Sequence, residues 1–169
     1  MEFSEYVRAQ HPALLRFATV LTGRTWLAED LVSDVLGRAF ERWESIGAMD
    51  RPHAYVRRMI VNEHLSWRRR AHRTPTPEPD MPDGTVADGT AEHAERDAMI
   101  ALLAQLPRRQ RAAVVLRYYL GLSDAEVAAE LGCRESTVRS QIARALRTLR
   151  IDLTESGAAA LVAHPLESR

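Results

Sequence analysis

Apolar residues between positions 25 and 43 recur at every fourth position, the spacing that places side chains on one face of a helix. Three neighbours widen this stripe, so the pattern predicts a helix with one buried face. We expect Thr25 to cap its first turn, and two acidic residues near the start suit the positive end of the helix dipole. The residues of the stripe are Leu27, Leu31, Val32, Val35, Leu36, Ala39, Phe40 and Trp43.

Two further apolar stripes predict helices on either side of this one. The first ends at Gly23 and has Pro12 in its opening turn, where the missing N–H costs nothing. The second begins near Asp50 with an early proline and ends in a cluster of arginines. The three stripes together predict a three-helix core. Their inward residues are Leu14, Leu15, Phe17, Ala18 and Leu21 in the first helix and Val56, Met59, Ile60 and Trp67 in the third.

The C-terminal part predicts two apolar-rich helices, 98–106 and 108–120, followed by a helix-turn-helix. Ser123 and Glu126 form the capping box of a short helix, in which Ala128 is small enough for a close helix crossing. Gly132 supplies the tight turn that follows. The short helix spans Asp124–Leu131, with Val127, Ala128 and Leu131 inward, and the next helix buries Val138, Ile142, Ala145 and Leu149.

The opposite face of this last helix is polar and basic, with no acidic residue after Glu135. Short polar and basic side chains at the start of a helix suit entry into the major groove of DNA. A solvated helix face is the simpler alternative, but such a face normally mixes glutamate with arginine. The face consists of Ser136, Arg139, Ser140, Ala143, Arg144 and Arg147.

A proline-rich, acidic stretch separates the two helical regions. Four of the eight prolines fall within residues 74–93, where they interrupt any helix and leave few apolar residues to bury. We therefore predict an all-α protein of two small helical domains joined by a flexible linker. The predicted boundaries are 1–73 for the first domain, 74–93 for the linker, 94–153 for the helix-turn-helix domain and 154–169 for a C-terminal tail.

The charges are segregated along the chain although they sum to zero. The 23 basic residues are all arginine, and they balance 23 acidic residues. By position, the net charge is −3 over 1–50, +6 over 51–73, −6 over 74–97 and +3 over 98–169. This clustering is typical of nucleic-acid binding, whereas a GC-rich genome would explain arginine over lysine but not the clusters.

The exposed face of the third predicted helix combines arginines with aromatic rings. Arginines bind phosphates, and aromatic rings stack on unpaired bases. A face that combines the two therefore favours single-stranded or melting DNA. Any single aromatic ring more often belongs to a core than to a stacking surface, and Trp67 fits either role. The residues concerned are Arg57, Arg58, Arg68, Arg69 and Arg70, with His53, Tyr55 and Trp67 among them.

Several classes of protein are disfavoured by the sequence. No apolar run approaches the roughly 20 residues of a membrane-spanning helix, and the N-terminus lacks the apolar centre of a signal peptide. The single Cys133 excludes an internal disulfide and fits a reducing, cytoplasmic compartment. Because no metal-ligand motif, Ser–His–acid set or phosphate-binding loop is visible, we expect neither an enzyme nor a bound cofactor or metal.

The order of these motifs resembles the extracytoplasmic-function (ECF) sigma factors of bacterial RNA polymerase, and within them an actinobacterial, sigma-E-like group. The first domain resembles sigma region 2 in LAEDLVSDVLGRAFERW (27–43) and YVRRMIVNEHLSWRRR (55–70). The second resembles region 4 in LPRRQRAAVVLRYYLGLSDAEVAAELG (106–132) and STVRSQIARALRTLR (136–150). The resemblance implies an alternative sigma factor that directs core polymerase to promoters and assists melting of the −10 element.

The resemblance also implies roles for particular residues. Clamp helices of the largest polymerase subunit would bind Asp30, Asp34, Arg38 and Arg42. A loop at 45–50 would capture a flipped −10 base, and the rest of the −10 contacts would be Tyr55, Arg57, Arg58, Asn62, Trp67, Arg68 and Arg69. The −35 contacts would be Arg134, Ser136, Thr137, Arg139, Ser140, Gln141 and Arg144. The chain departs from the family pattern at Ser33, Ser136 and Gln141, where glutamine, glycine and a basic residue are usual.

The implied partners are core polymerase, through its clamp helices and flap, promoter DNA and an anti-sigma factor, with no membrane. The acidic linker would thread into the RNA exit path of the polymerase or act as a simple tether. A helix-turn-helix regulator acting without polymerase would explain residues 98–150 but not the AEDLV helix. A helical bundle that serves only as a protein adaptor would not need an arginine-rich face, so this alternative leaves the basic clusters unexplained.

Overall fold

The computed structural model describes residues 1–71 and 91–149, with side chains omitted at 67–71 and 91–93. Within these ranges every regular element is helical, so the predicted all-α fold is confirmed. The chain divides into two compact units, Met1–Ala98 and Met99–Arg169. Most of the predicted linker and the whole predicted tail lie outside the described residues, while positions 91–93 are helical.

The N-terminal unit is built on three long helices and one short one. They are α1 (Phe3–Thr22), α2 (Thr25–Phe40), α3 (Trp43–Gly47) and α4 (Pro52–Ala71). The helices α1, α2 and α4 pack against one another, as the three apolar stripes predict. Burial of apolar surface at this core drives the packing. Its most buried side chains include Tyr6, Leu14, Phe17, Leu21, Leu31, Val35, Ile46, Val56 and Ile60.

Helix α1 begins nine residues before Pro12, so the placement of this proline in the first turn is wrong. Glu2 and Glu5 form a capping box at the true start, and Tyr6 is fully buried one turn later. The proline is tolerated inside the helix because it and Arg8, whose carbonyl loses its N–H partner, are both exposed to water. The predicted end is confirmed, since Gly23 adopts a left-handed conformation there.

Three further expectations for the N-terminal unit need correction. The N-cap position of α2 is Arg24, whose side chain makes no capping hydrogen bond, and Thr25 is already helical. Phe40, the last residue of α2, is 65% exposed rather than buried, although its ring packs against Phe3 of α1. Part of the predicted 45–50 loop is helical, since α3 continues to Gly47. Of the other predicted core residues, Leu15, Leu27, Trp43 and Met59 are half-buried.

The C-terminal unit contains the predicted helix-turn-helix. Its elements are α5 (Ala91–Ala104), which begins before Met99, then α6 (Arg108–Val114), α7 (Asp124–Leu131) and α8 (Glu135–Leu149). The predicted helix 108–120 is α-helical only to Val114 and continues as a π-helical turn over Val115–Tyr119. Helix α8 packs against both α6 and α7. Leu131 is half-buried, but Val138, Ile142, Ala145 and Leu149 are all buried as predicted, together with Leu146.

Both local signals of the helix-turn-helix are confirmed. The Ser123 hydroxyl accepts a hydrogen bond from the Glu126 backbone N–H at 3.3 Å, and the Glu126 carboxylate accepts one from the Ser123 N–H at 2.8 Å. Gly132 ends α7 with φ of 61°, a conformation that other residues adopt at a cost. The turn therefore holds α8 at a fixed angle to α7.

A buried arginine joins α5 to α6 across Pro107. Arg111 is 7% exposed, and its Nη2 donates hydrogen bonds to the carbonyl oxygens of Ala104 at 2.6 Å and Leu106 at 3.0 Å. Burial, together with the charge of Arg108, lowers the pKa of Arg111 to about 10, so it remains protonated at neutral pH. A cation at the C-terminal end of α5 also suits the helix dipole.

Candidate nucleic-acid and polymerase interfaces

The predicted −35 surface lies along the exposed face of α8. All six residues of that face are exposed, opposite the buried stripe that fixes α8 against α6 and α7. Arg134 precedes the helix and is exposed, while Thr137 and Gln141 are half-buried at the edge of the face. The first turns of α8 therefore present hydroxyl and guanidinium donors from one rigid support, which suits contacts to base edges and phosphates.

Two acidic residues flank Arg139 on this face. Its Nη1 lies 3.6 Å from the Glu135 carboxylate and 4.0 Å from that of Asp124, which also pairs with Arg117 at 3.3 Å. Arg117 in turn donates to the Leu122 carbonyl at 2.9 Å. Because Arg139 is 61% exposed, these pairs orient its guanidinium but add little to stability. Among the described residues Arg144 makes no ion pair with an acid.

The predicted −10 surface lies on α4, where three of its residues share one face. Tyr55, Arg58 and Asn62 are spaced by three and four positions; Arg58 and Asn62 are exposed, and Tyr55 is half-buried. Arg57 lies on a different side of the helix, and its charge acts on Tyr6 and His53. Trp67, Arg68 and Arg69 belong to α4, but their side chains lie outside the described part of the chain.

His53 faces the core rather than the predicted DNA surface. Its Nδ1 lies 3.3 Å from the Tyr6 hydroxyl, and the Tyr6 ring also packs against Trp43 with centroids 4.7 Å apart. Burial raises the pKa of Tyr6 above its ordinary value and, with the Arg57 charge, lowers that of His53 to about 4. Of the three rings expected near the arginines, His53 is therefore unsuited to stacking on bases.

The predicted polymerase-binding residues follow one another along α2. Asp30 and Asp34 are exposed one turn apart, and Arg42 is exposed just beyond the helix. Phe40, which the periodicity assigned to the core, adds an exposed aromatic ring near the same end. Ser33 and Gly37, which lie between Asp30 and Phe40 on α2, are small and exposed, so a partner helix could approach the α2 backbone closely.

Arg38 differs from the other three polymerase candidates because it bonds within the unit. Its Nη2 donates to the Glu63 carboxylate of α4 at 2.6 Å, and its Nε donates to the Asp34 carbonyl at 3.3 Å. Glu63 is 4% exposed, whereas the Arg38 side chain is 43% exposed. No sequence pattern indicated this pair, because a 25-residue separation carries no periodic signal.

Comparison with known proteins decides what these surfaces belong to. Sigma-70 region 2 matches residues 6–74, and sigma-70 region 4 matches residues 96–149. The RNA polymerase sigma-E factor of Streptomyces avermitilis is 39% identical over 153 residues, which cover 90% of this chain and 86% of that protein. The chain belongs to the ECF sigma factors. The ECF sigma factor SigL of Mycobacterium tuberculosis is 36% identical over 154 residues, covering 88% of this chain and 87% of that protein.

A solved structure supports the same assignment for this sigma factor. The sigma factor RpoE of Bartonella quintana, determined in complex with the anti-sigma factor NepR, has a TM-score of 0.65 and 26% sequence identity. The match covers 88% of this chain and 94% of that one. This ECF sigma factor is thus an alternative initiation factor that directs core polymerase to promoters, with its region 4 helix-turn-helix binding DNA.

Two features are absent from the described residues of the sigma factor. No helix there is long and apolar enough to cross a membrane. No group of three or more His, Cys, Asp or Glu side chains in the same ranges could hold a metal ion.

The low pKa of His53 predicts acid sensitivity of the region 2 unit. The unfolded chain binds a proton at His53 near pH 6.5, whereas the folded unit does so only near pH 4. The free energy of unfolding should therefore fall as the pH drops from about 6.5 towards 4. All three tryptophans lie in the first 67 residues, so tryptophan fluorescence in urea titrations between pH 7.5 and 5 measures this unit.

The matched control for this prediction is the exposed His11. We expect His53→Gln to flatten the pH dependence and His11→Gln to leave it unchanged. An unaltered slope in His53→Gln would show that other groups cause the acid sensitivity.

Proposed function

We propose that α8 of this sigma factor reads the −35 element in the major groove, while α4 binds the −10 element and holds its unpaired bases. In the same proposal, the exposed face of α2 docks on the clamp helices of the largest polymerase subunit, and region 4 binds the polymerase flap. The observation that carries the proposal is the division of α8 into a buried apolar stripe and an exposed arginine and hydroxyl face.

The exposed face of α8 supplies two kinds of contact. Guanidinium groups bind guanine O6 and N7 in a bidentate manner, and hydroxyls such as Ser136 and Ser140 bind base edges or phosphates. The Ser140 hydroxyl donates to the Ser136 carbonyl at 2.7 Å, so its oxygen remains available as an acceptor. Gln141 could bind adenine from the edge of the face, which would set a −35 preference particular to this chain.

The α4 face suits the −10 element because it offers a ring, a cation and an amide in a row. Arg58 would hold a phosphate, Asn62 would bond a base edge, and Tyr55 would stack on a base that has left the duplex. Capture of unpaired bases stabilises the open complex. The predicted 45–50 segment, partly in α3, would hold a flipped base beside this face.

Polymerase makes two weak DNA interactions act as one. When both units are fixed on core polymerase, binding of one element raises the effective concentration of the other unit at its own element. The zero net charge of the chain fits this scheme, because a weakly charged free protein has little affinity for random DNA. The proposed role requires no cofactor and no catalysis by the chain itself, and it places the protein in the cytoplasm with the polymerase.

An anti-sigma factor is the proposed regulator. The related RpoE of Bartonella quintana was solved with the anti-sigma factor NepR. We extend such an interaction to this chain, in which the inhibitor would cover the α2 face and so compete with polymerase.

Run-off transcription with purified actinobacterial core polymerase tests the proposal. The full chain should co-purify with core polymerase and start transcripts from genomic fragments that share two upstream elements at constant spacing. If the chain binds DNA fragments but neither associates with core polymerase nor starts transcripts, it is a helix-turn-helix regulator instead. Core polymerase alone serves as the background control.

Phe40→Asp should weaken binding to core polymerase. An exposed aromatic ring at a protein interface typically contributes about 2 kcal/mol, so the dissociation constant should rise about 30-fold. Because Phe40 is 65% exposed, the fold should tolerate the change, which circular dichroism verifies. Phe40→Leu keeps the site apolar and should lose much less affinity. If Phe40→Asp and the wild type bind core polymerase with equal affinity, the C-terminal end of α2 is not part of the interface.

A further inference from the structure

The buried Glu63 is unusual within its part of the sequence. It is the only acidic residue between positions 51 and 73, where seven arginines lie. Its carboxylate is 4% exposed and pairs with Arg38 at 2.6 Å, so α4 carries an acid inward while its outer face is basic. Burying a carboxylate costs several kcal/mol before its partner compensates.

Stability alone does not account for such a pair. Apolar side chains of similar volume usually stabilise a core as well as a buried ion pair does, and the best-attested use of buried charges is to fix one arrangement. The guanidinium of Arg38 is further restricted by its Nε bond to the Asp34 carbonyl. The pair therefore sets the rotation and height of α4 relative to α2 more narrowly than apolar contacts would.

The two partners lie next to the two functional faces of the unit. Arg38 is one helical turn beyond Asp34 and two residues before Phe40, both on the proposed polymerase face. Glu63 directly follows Asn62, which is exposed on the proposed −10 face. A shift of α4 against α2 would displace Asn62 from its base and Arg58 from its phosphate in DNA that the polymerase holds at a fixed distance.

We propose that Arg38 and Glu63 are positioning residues, which keep the −10 face of α4 in register with the polymerase face of α2. Arg38 thus acts on −10 recognition through α4 rather than as a contact to polymerase. This inference rests on the proposed functions of α2 and α4. It predicts that removing the pair impairs −10 recognition while leaving the affinity for core polymerase unchanged.

The test uses the double variant Arg38→Met/Glu63→Met in the full chain. With both residues replaced, neither Arg38 nor Glu63 is left as an unpaired charge, so the unit should fold, with an unfolding midpoint close to that of the wild type. We expect the ratio of initiation on a native promoter to that on a −10-substituted promoter to fall about tenfold, since displaced contacts lose their alignment. The same ratio for −35 substitution and the dissociation constant for core polymerase should stay unchanged.

Arg42→Met is the matched control, because Arg42 is exposed and is a proposed polymerase contact. It should weaken core binding and leave −10 discrimination intact, the reverse of the double variant. A loss of core affinity in the double variant without a change in −10 discrimination would make Arg38 a polymerase contact and overturn the inference. A parallel fall of thermal stability, core affinity and both discrimination ratios would overturn it as well, since it would indicate a purely structural role.

Asn62→Ala separates failure of this inference from failure of the proposed function. If Asn62→Ala does not reduce −10 discrimination, α4 does not read the −10 element and the proposed function is wrong. If Asn62→Ala reduces it while the double variant behaves as wild type, only the positioning role is wrong.

Discussion

Replacing Arg111 with methionine should lower the free energy of unfolding of the region 4 unit by about 3 kcal/mol. The charged side chain donates to two carbonyl oxygens, those of Ala104 and Leu106, at the junction of α5 and α6. Methionine fills a similar volume but donates nothing, so the Leu106 carbonyl loses a charge-assisted hydrogen bond in a buried place and the Ala104 carbonyl loses one in a partly buried place. Hydrogen exchange of amides in residues 108–149, followed by mass spectrometry, measures this loss directly.

Arg109→Met provides the control for the Arg111 substitution. Arg109 is the exposed neighbour on the same helix, and its replacement removes the same charge and should change stability by less than about 0.5 kcal/mol. Comparable exchange rates in the two variants would mean that the junction does not depend on Arg111. Transcription by Arg111→Met should decline with temperature earlier than that of the wild type, because α8 rests on α6.

Arg144→Ala should weaken initiation from promoters that depend on the −35 element by about 1–3 kcal/mol. Arg144 lies on the exposed face of α8, where bidentate binding to a guanine is possible. If the side chain reads a base, the loss should vanish on a promoter altered at that base pair. Initiation rates on native and −35-substituted templates, measured at one salt concentration, give the comparison.

Arg147, one turn further along α8, distinguishes base reading from phosphate binding. It is also exposed, and its Nε donates to the Ala143 carbonyl at 3.4 Å. Arg147→Ala should reduce initiation on both templates by a similar factor and lower the salt dependence of binding, as loss of a phosphate contact does. Equal losses on both templates in Arg144→Ala would assign that residue to phosphate as well.

The helices of both units were predictable because their apolar residues repeat at helical spacing. In α8 the residues at 138, 142, 145 and 149 are buried and the intervening arginines exposed, as the period requires. The Ser123 capping box and the left-handed Gly132 were equally readable, because each is a local hydrogen-bonding or backbone preference. The segregation of charge likewise indicated which helices carry basic faces.

Errors arose where packing overrides local pattern. Tyr6 is buried against His53 and Trp43, and this draws the start of α1 nine residues ahead of Pro12. Phe40 continues the stripe of α2, but at the end of the helix its ring packs against Phe3 and is still 65% exposed. The π-helical turn after Val114, which packs against α7, cannot be told from an α-helix by the apolar pattern.

The sequence by itself determined that this protein has two helical units, where its helix-turn-helix lies and which face of α8 is basic. These features depend on residues close together in the chain, so spacing and capping preferences suffice. Only the tertiary structure decided that Arg38 bonds to the buried Glu63, that Arg111 joins α5 to α6 and that Asp124 flanks Arg139. Such contacts depend on the positions of packed helices. The sequence shows where a charged side chain is, but not which distant residue will lie beside it once the helices pack.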